Sequence, residues 1–288
     1  MKKLVTLSNI NYLQKLKDNL IDGVIIGQPI FSNRFNSYFT NNEVNTIINK
    51  CEELNLEVYI NVNDIIFEDN INDLKEYLLH IIELKINGIF YNDIAINYLA
   101  SEYGFEDKLI YNPDTLMSNY YDINVYLDKG LKSVMISKEI TLDEINNILS
   151  CCEKKLSMII HGRLNMSYSK RHFIKNYYDY LNKENNLNDN LNLSLIEATR
   201  EYKMPILETN KGCSIYTDFT LESFDQINEL NNNGLAYGII DDIFMDQEEL
   251  FDTINVYNNV LSKEVFLKKY KAKNYNTGYY FKKTNLVK

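Results

Sequence analysis

"EVYINVNDIIFEDNINDLKEYLLHIIELKINGIFYN", residues 57–92, decides the fold. Two short apolar runs, "EVYINVN" (57–63) and "NGIFYN" (87–92), flank "NINDLKEYLLHIIELK" (70–85), which reads as a helix. A helix of that length between two strands is a crossover, and crossovers join parallel strands. The same unit recurs in both directions. Strands are expected at 3–7, 23–27, 57–63, 87–92, 108–112, 132–137, 156–162 and 235–241, with helix-like segments between the first seven. "TLDE" at 141–144 has the form of a capping box, Thr141 capping and Glu144 three residues on. Eight strands in this pattern predict an α/β fold, a (β/α)8 TIM-barrel-like domain over 1–262, with an insertion at 163–234 between strands 7 and 8. A doubly wound open sheet is the alternative. No glycine-rich phosphate loop follows the first strand, where "LSNINY" stands, so a dinucleotide fold is not expected.

The 288 residues carry 30 Lys and Arg against 40 Asp and Glu, a net charge of −10. That balance argues against nonspecific nucleic-acid binding by the whole surface, because phosphate contacts need local cations. Local cations exist. "HGRLNMSYSKRHFIKNYYDYL" (161–181) is basic and tyrosine-rich, and from Lys263 eight lysines face one acid in a tail at 263–288. Apolar runs are too short to span a bilayer, and the first residues lack a signal-peptide core. A cytoplasmic location is expected. Cys51, Cys151, Cys152 and Cys213 show no C-x-x-C spacing and are expected to be structural thiols.

In such a barrel the residues just past each strand ring one mouth. They are Ser8 and Asn9, Gln28, Asn63, Asn92 with Asp93, Asn112, Lys138 with Glu139, His161 with Arg163, and Asp241 with Asp242. A polar rim of this kind suits a polar ligand. The expected catalytic groups are His161, Arg163, Glu139 and Asp241. Arg163 and Arg171 would grip a carboxylate through their planar forks, and Glu139 would orient Arg163 or act as a base. Lys138, Tyr168, Ser169, Arg171 and Asn112 complete the expected substrate site. Lys170 and Lys175 among tyrosines, and Lys268, Lys269, Lys271, Lys282 and Lys283 in the tail, offer the mixture that binds single-stranded RNA loops. The bland alternative is a solvated helix whose tyrosines pack inward. The "NKENNLNDNLNL" stretch (182–193) reads as an exposed loop, "MPILETNKGCSIYTDF" (204–219) as a hairpin, and "TLESFDQINELNNNG" (220–234) as a helix.

"HGRLNMSYSKRHFIKNYY" resembles the signature of the peptidase U32 family, in which a strand ends in His-Gly and Tyr-Ser-x-Arg follows. "EVYINVNDII", "INGIFYND", "LIYNPDTLMSNYYDIN", "SVMISKEITLDEI", "MPILETNKGCSIY" and "NTGYYFKKT" fall in the family's order, so the resemblance covers nearly the whole chain. The chain looks most like the shorter member of a pair found in low-GC Gram-positive bacteria. The resemblance implies support of tRNA wobble-uridine 5-hydroxylation beside a longer paralogue, with prephenate as substrate; the family name implies proteolysis instead. A third reading is a non-catalytic binding subunit. tRNA and a second copy of the chain are the remaining candidate partners, and no membrane is expected. Family cysteines are replaced here at Asn165 and His172, so no iron–sulfur cluster, and no metal, is expected on this chain. Asp241 matches an acidic family position, with Ile239 and Asp242 departing from the pattern around it. No Gly-x-Ser-x-Gly elbow surrounds Ser167 or Ser169, and no His-Glu-x-x-His is present among His80, His161 and His172.

Overall fold

The computed structural model describes residues 1–153, 155–184, 192–199 and 201–283. Seven parallel strands follow in spatial order: β1 (Lys2–Thr6), β2 (Gly23–Gly27), β3 (Glu57–Val62), β4 (Gly88–Tyr91), β5 (Leu109–Tyr111), β6 (Ser133–Met135) and β7 (Leu156–Ser169). An antiparallel set comes next, β8 (Ser194–Leu195), β9 (Met204–Thr209) and β10 (Gly212–Glu222), and then β11 (Tyr237–Ile240) and β12 (Tyr275–Asn276). β11 pairs in parallel with both β7 and β1, which closes an eight-stranded barrel.

Each crossover helix turns one apolar stripe inward. Val44, Ile47, Ile48 and Cys51 are buried on the helix Asn41–Leu54, and Leu74, Tyr77, Leu78 and Ile81 on Ile71–Ile82. Both sets follow the i, i+3, i+4, i+7 spacing of a single face. Burying such side chains contributes about 1.5–3 kcal/mol each. Thr40 and Thr141 both form capping boxes, with Glu43 and Glu144 as their partners. Inside the barrel Leu4, Ile25, Tyr59, Phe90, Ile110, Met135 and Ile239 form a second core, joined from above by Phe35 of the loop after β2. A Cβ on Gly27 would lie 2.8 Å from the Phe35 ring, so the glycine is what lets that loop dip into the mouth.

β7 is twice as long as its apolar run suggests. It leaves the wall near Gly162 and continues as an antiparallel partner of β10, with His161 opposite Glu222 and Ser169 opposite Cys213. The expected hairpin is present, with Thr209 and Gly212 opposed across Asn210 and Lys211. The expected helix at 220–234 is only Ile227–Asn232, because Thr220–Glu222 still belongs to β10. Ser223 Oγ then donates to the Ile160 carbonyl at 2.8 Å, which pins the chain against the barrel wall. Most of the asparagine-rich stretch expected as a loop, 185–191, lies outside the described residues.

The basic tail is no separate appendage. Its helix Lys263–Lys269 buries Phe266, Lys263 bridges Glu222 and Asp225 at 2.9 and 2.7 Å, and β12 pairs with β10. Aromatic bulk in the tail outweighs its charge. Among the described residues no helix is long and apolar enough to cross a membrane.

Candidate functional site at the barrel mouth

The loop from Gln28 to Thr40 crosses the C-terminal ends of the strands. Asn63 clamps it from both sides, its Oδ1 accepting from the Asn33 amide at 2.7 Å and its Nδ2 donating to the Asn33 carbonyl at 3.1 Å. Asn33 Oδ1 in turn accepts from the Arg34 amide at 2.8 Å. Arg34 is thereby held at φ +67°, a left-handed conformation that non-glycine residues adopt rarely and mostly under constraint.

Held this way, Arg34 reaches across the mouth. Its Nη1 donates to Asp114 Oδ2 at 2.8 Å, and Lys138 Nζ lies 3.3 Å from Asp114 Oδ1. The Arg34 and Lys138 side chains are 8% and 7% exposed. Burial alone would raise the Asp114 carboxyl, but the two cations outweigh it and hold the group below its ordinary value. Burial lowers Lys138. Asn165, with its amide turned so that Oδ1 accepts, meets Arg34 Nη1 at 2.7 Å, and the Tyr168 ring centre lies 5.8 Å from the guanidinium carbon. Asn112 Oδ1 accepts from the Asp114 amide at 3.2 Å and fixes the turn that presents this carboxylate.

Across the mouth, two carboxyls follow β11, Asp241 half-buried and Asp242 buried. Thr6 Oγ1 accepts from the Asp242 amide at 2.7 Å and lies 2.8 Å from Asp242 Oδ1 and 3.2 Å from Asp241 Oδ1, with a single proton to offer the pair. Burial pushes Asp241 up to about 6 and Asp242 to about 7. Carboxyls in that range can hold or release a proton near neutral pH. Tyr216 leans over the same space against Phe244, with ring centres 4.8 Å apart. The Tyr216 hydroxyl, Asn61 Oδ1 and Asn92 Oδ1 are buried without a protein partner. Unpaired buried polar atoms are costly, and several at one barrel mouth mark a place built for a polar ligand.

Two clefts flank the crossing loop. One, of about 400 Å³, runs between Phe35 and Tyr38 of the loop and Leu207, Thr209 and Lys211 of the hairpin. Lys211 Nζ donates to the Ser32 carbonyl, and burial brings the amine down to about 8. The other, of about 510 Å³, opens at Ser8, Asn36, Asp242, Phe244 and Lys273.

The expected site residues divide. Lys138, Asn112 and Asp241 stand in the mouth. Tyr168 stands at its edge, with its hydroxyl 2.7 Å from Asp64 Oδ1 and 2.9 Å from the Lys211 carbonyl. Lys138 pairs with Asp114, from the turn after β5. Glu139 is exposed, with its amide on Ser137 Oγ, because the chain turns outward after Lys138.

His161 and Arg163 face away from the mouth. The pairing of β7 with β11 slips between Ile239 and Ile240, so that Ile239 opposes Ile159 while Ile240 opposes His161. A one-residue bulge reverses which face the following side chains occupy. His161 is fully buried among Phe224, Tyr257, Phe266 and Tyr275. Burial takes its imidazole down to about 3, so at neutral pH it holds no charge for an anion. Arg163 donates to the Thr217 carbonyl at 2.6 Å, near Glu249 and Tyr275, and burial lowers it. Arg171 is exposed on the insertion, its amide donating to Ser169 Oγ at 3.2 Å. The expected two-arginine carboxylate grip is therefore not assembled.

Among the expected RNA-contacting lysines, Lys170 pairs with Asp64 at 2.6 Å, and Lys269 is held by Glu248 and Asp252, both at 2.6 Å. Lys175, Lys268, Lys271, Lys282 and Lys283 are exposed. The insertion and the tail meet β10 near Cys213 and Thr220, roughly 20 Å apart along the strand, and form two separate basic regions.

The buried histidine gives a pH prediction. Its folded value lies below the ordinary 6.5, so the unfolded chain binds one more proton between about pH 6.5 and pH 3. Stability from this group is present above pH 6.5 and lost as pH falls, at up to about 1.4 kcal/mol per pH unit. Urea unfolding of His161→Phe is expected to lose that slope between pH 6 and pH 4; an unchanged slope contradicts the assignment.

Sequence reasoning missed Arg34, Asp114, Asp64 and Tyr216. One signal was available: only four of the thirty basic residues are arginines, and "SNRFNS" places one of them just past a barrel strand.

A closed parallel barrel with a buried, charged and hydrogen-bonding mouth defines the class. The family model for peptidase family U32 matches residues 8–285, and the chain belongs to that family. It is 25% identical over 280 residues to tRNA hydroxylation protein P2 of Bacillus subtilis (strain 168), covering 90% of this chain and 91% of that protein. It is 23% identical over 180 residues to tRNA hydroxylation protein P1 of the same organism, covering 61% of this chain but 43% of that longer protein. The structure of the U32 peptidase Mk0906 superposes with a TM-score of 0.52 at 13% identity, over 84% of this chain and 92% of that one, which shows the shared fold.

The donor set does not fit an iron–sulfur cluster, which needs converging thiolates. Cys51 is buried on the helix Asn41–Leu54, Cys151 and Cys152 end the helix Leu142–Cys151, and Cys213 is buried in β10. Burial raises Cys51 to about 12 and Cys152 and Cys213 to about 11. Among the described residues no group of three or more His, Cys, Asp and Glu is placed to hold a metal ion.

Proposed function

We propose that this chain supports 5-hydroxylation of the wobble uridine of tRNA, in the cytoplasm and beside a longer relative of the P1 type. The observation that carries this reading is the match to tRNA hydroxylation protein P2 over nine-tenths of both chains. The mouth supports it with a place for a small polar reactant. Arg34 and Lys138 offer cations to an acid such as prephenate, while Asn61 Oδ1, Asn92 Oδ1 and the Tyr216 hydroxyl offer hydrogen bonds to its oxygens. Asp241 and Asp242 stand ready to exchange a proton with it. The cysteine distribution supports a chain that works without a cluster of its own.

Proteolysis has less support. Among the described residues no serine hydroxyl is bonded to a histidine ring; the His161 nitrogens face Thr253 and Tyr257, each at 3.4 Å. An activated serine needs such a base.

Deleting the gene and digesting total tRNA to nucleosides is expected to deplete 5-hydroxyuridine derivatives, with recovery on expression of the wild-type chain. Unchanged levels reject the role.

A further inference from the structure

The helix Phe173–Tyr180 has no buried residue, which is unusual for a helix so rich in aromatic rings. Tyr180 is 82% exposed, Tyr177 60% and Phe173 44%. Their spacing, at i, i+4 and i+7, sets the three rings on one face. The helix does not stand out because it is loose. Glu208, buried on β9, accepts from the Ile174 and Lys175 amides at 2.8 and 2.9 Å and so caps the first turn from another element. This fixes the helix beside the mouth, where Lys170 joins Asp64 and lies over the Phe67 ring, 5.7 Å from its centre. Phe67 is itself 52% exposed.

Charge indicates what covers this face. On a chain with ten excess acids, residues 170–184 carry four basic side chains against two acidic ones. Arg171 precedes the helix, Lys175 lies within it and Lys183 follows it, all three exposed. A protein-docking helix hides apolar groups behind a rim of either sign. Exposed rings bracketed by cations match unpaired bases strung on phosphates.

We infer that this helix is the RNA-contact surface of the chain, where unpaired bases of a tRNA loop stack on Phe173, Tyr177 and Tyr180 and their phosphates meet Arg171, Lys175 and Lys183. The inference rests on the functional reading above and adds to it the place and mode of contact.

An RNA anticodon stem–loop, measured by fluorescence anisotropy against the full chain, tests it. The wild type is expected to bind with an affinity that falls as salt rises. Tyr177→Ala and Tyr180→Ala are each expected to weaken binding about tenfold, with unfolding midpoints unchanged because both rings are exposed. Lys175→Gln is expected to lower the slope of log affinity on log salt by about 0.7. Binding of the tyrosine variants at wild-type strength overturns the inference, as does a wild type that binds no stem–loop. So does the outcome in which these variants keep RNA affinity and lose copurification with the longer relative, which makes the helix a protein-docking face. Nucleoside analysis of the deletion strain separates the two claims. If hydroxylation depends on the chain and Tyr177→Ala restores it fully with undiminished RNA affinity, only the surface fails; if hydroxylation ignores the chain, the functional reading fails.

Discussion

Replacing Arg34 with methionine is expected to cost about 3–5 kcal/mol of folding stability and to abolish rescue of tRNA hydroxylation in the deletion strain. The guanidinium is the larger of two buried cations that keep the half-buried Asp114 carboxylate ionised. Without it, Asp114 keeps only Lys138, at 3.3 Å, and Asn165 Oδ1 loses its donor. A methionine fills much of the volume but satisfies neither acceptor, and removing one partner of a largely desolvated ion pair leaves the other short of compensation. Arg34→Lys keeps the charge and loses the fork, so an intermediate loss is expected. Urea denaturation with an unchanged m-value measures the difference. A cost below about 1 kcal/mol would show that the three side chains do not act as one network, since exposed pairs contribute only that much.

The second large effect concerns Gly162. Alanine there is expected to cost about 3–5 kcal/mol, the sum of backbone strain and overpacking at one residue. Gly162 has φ +137°, a region closed to residues with a Cβ, and an added Cβ would sit 2.8 Å from the Asp241 carbonyl oxygen and 2.9 Å from the Asp241 Cβ. The new methyl must push either β7 or β11 outward, and β11 carries both mouth carboxyls. Loss of stability is therefore expected together with loss of hydroxylation rescue. A Gly162→Ala protein that unfolds at the wild-type urea concentration would sink this account of the strand's exit from the barrel.

Gly162 also explains why part of the site was illegible in sequence. Strand positions alternate faces only while the register holds. Counting along "LSMIIHGR" from the wall puts His161 and Arg163 at the rim, but the slip at Ile159 and Ile160 sends them into the aromatic layer under the tail. Asn112 and Asp241 were legible because each directly follows its strand, and Lys138 because it stands only three residues past β6. Arg34 was not, because it stands seven residues beyond β2, in a loop whose path depends on Asn63 from the next strand and on the space left by Gly27. Asp114 and Tyr216 come from a turn and from the insertion, and no periodicity connects them. The alternation of strands and helices, the Thr141 box and the 204–219 hairpin could be read locally because local hydrogen bonds and apolar spacing dictate them.

Barrel closure has a consequence for biosynthesis. β1 finds its second neighbour only at Tyr237–Ile240, so its outer edge has no partner until more than two hundred further residues have been made. At about 5–20 residues per second that interval is on the order of 10–50 s. During it "KLVTL" presents an unpaired apolar edge, the kind of segment that invites aggregation and holdase binding. Nascent chains truncated before residue 237 should therefore be chaperone clients, whereas longer ones that include β11 can release that help.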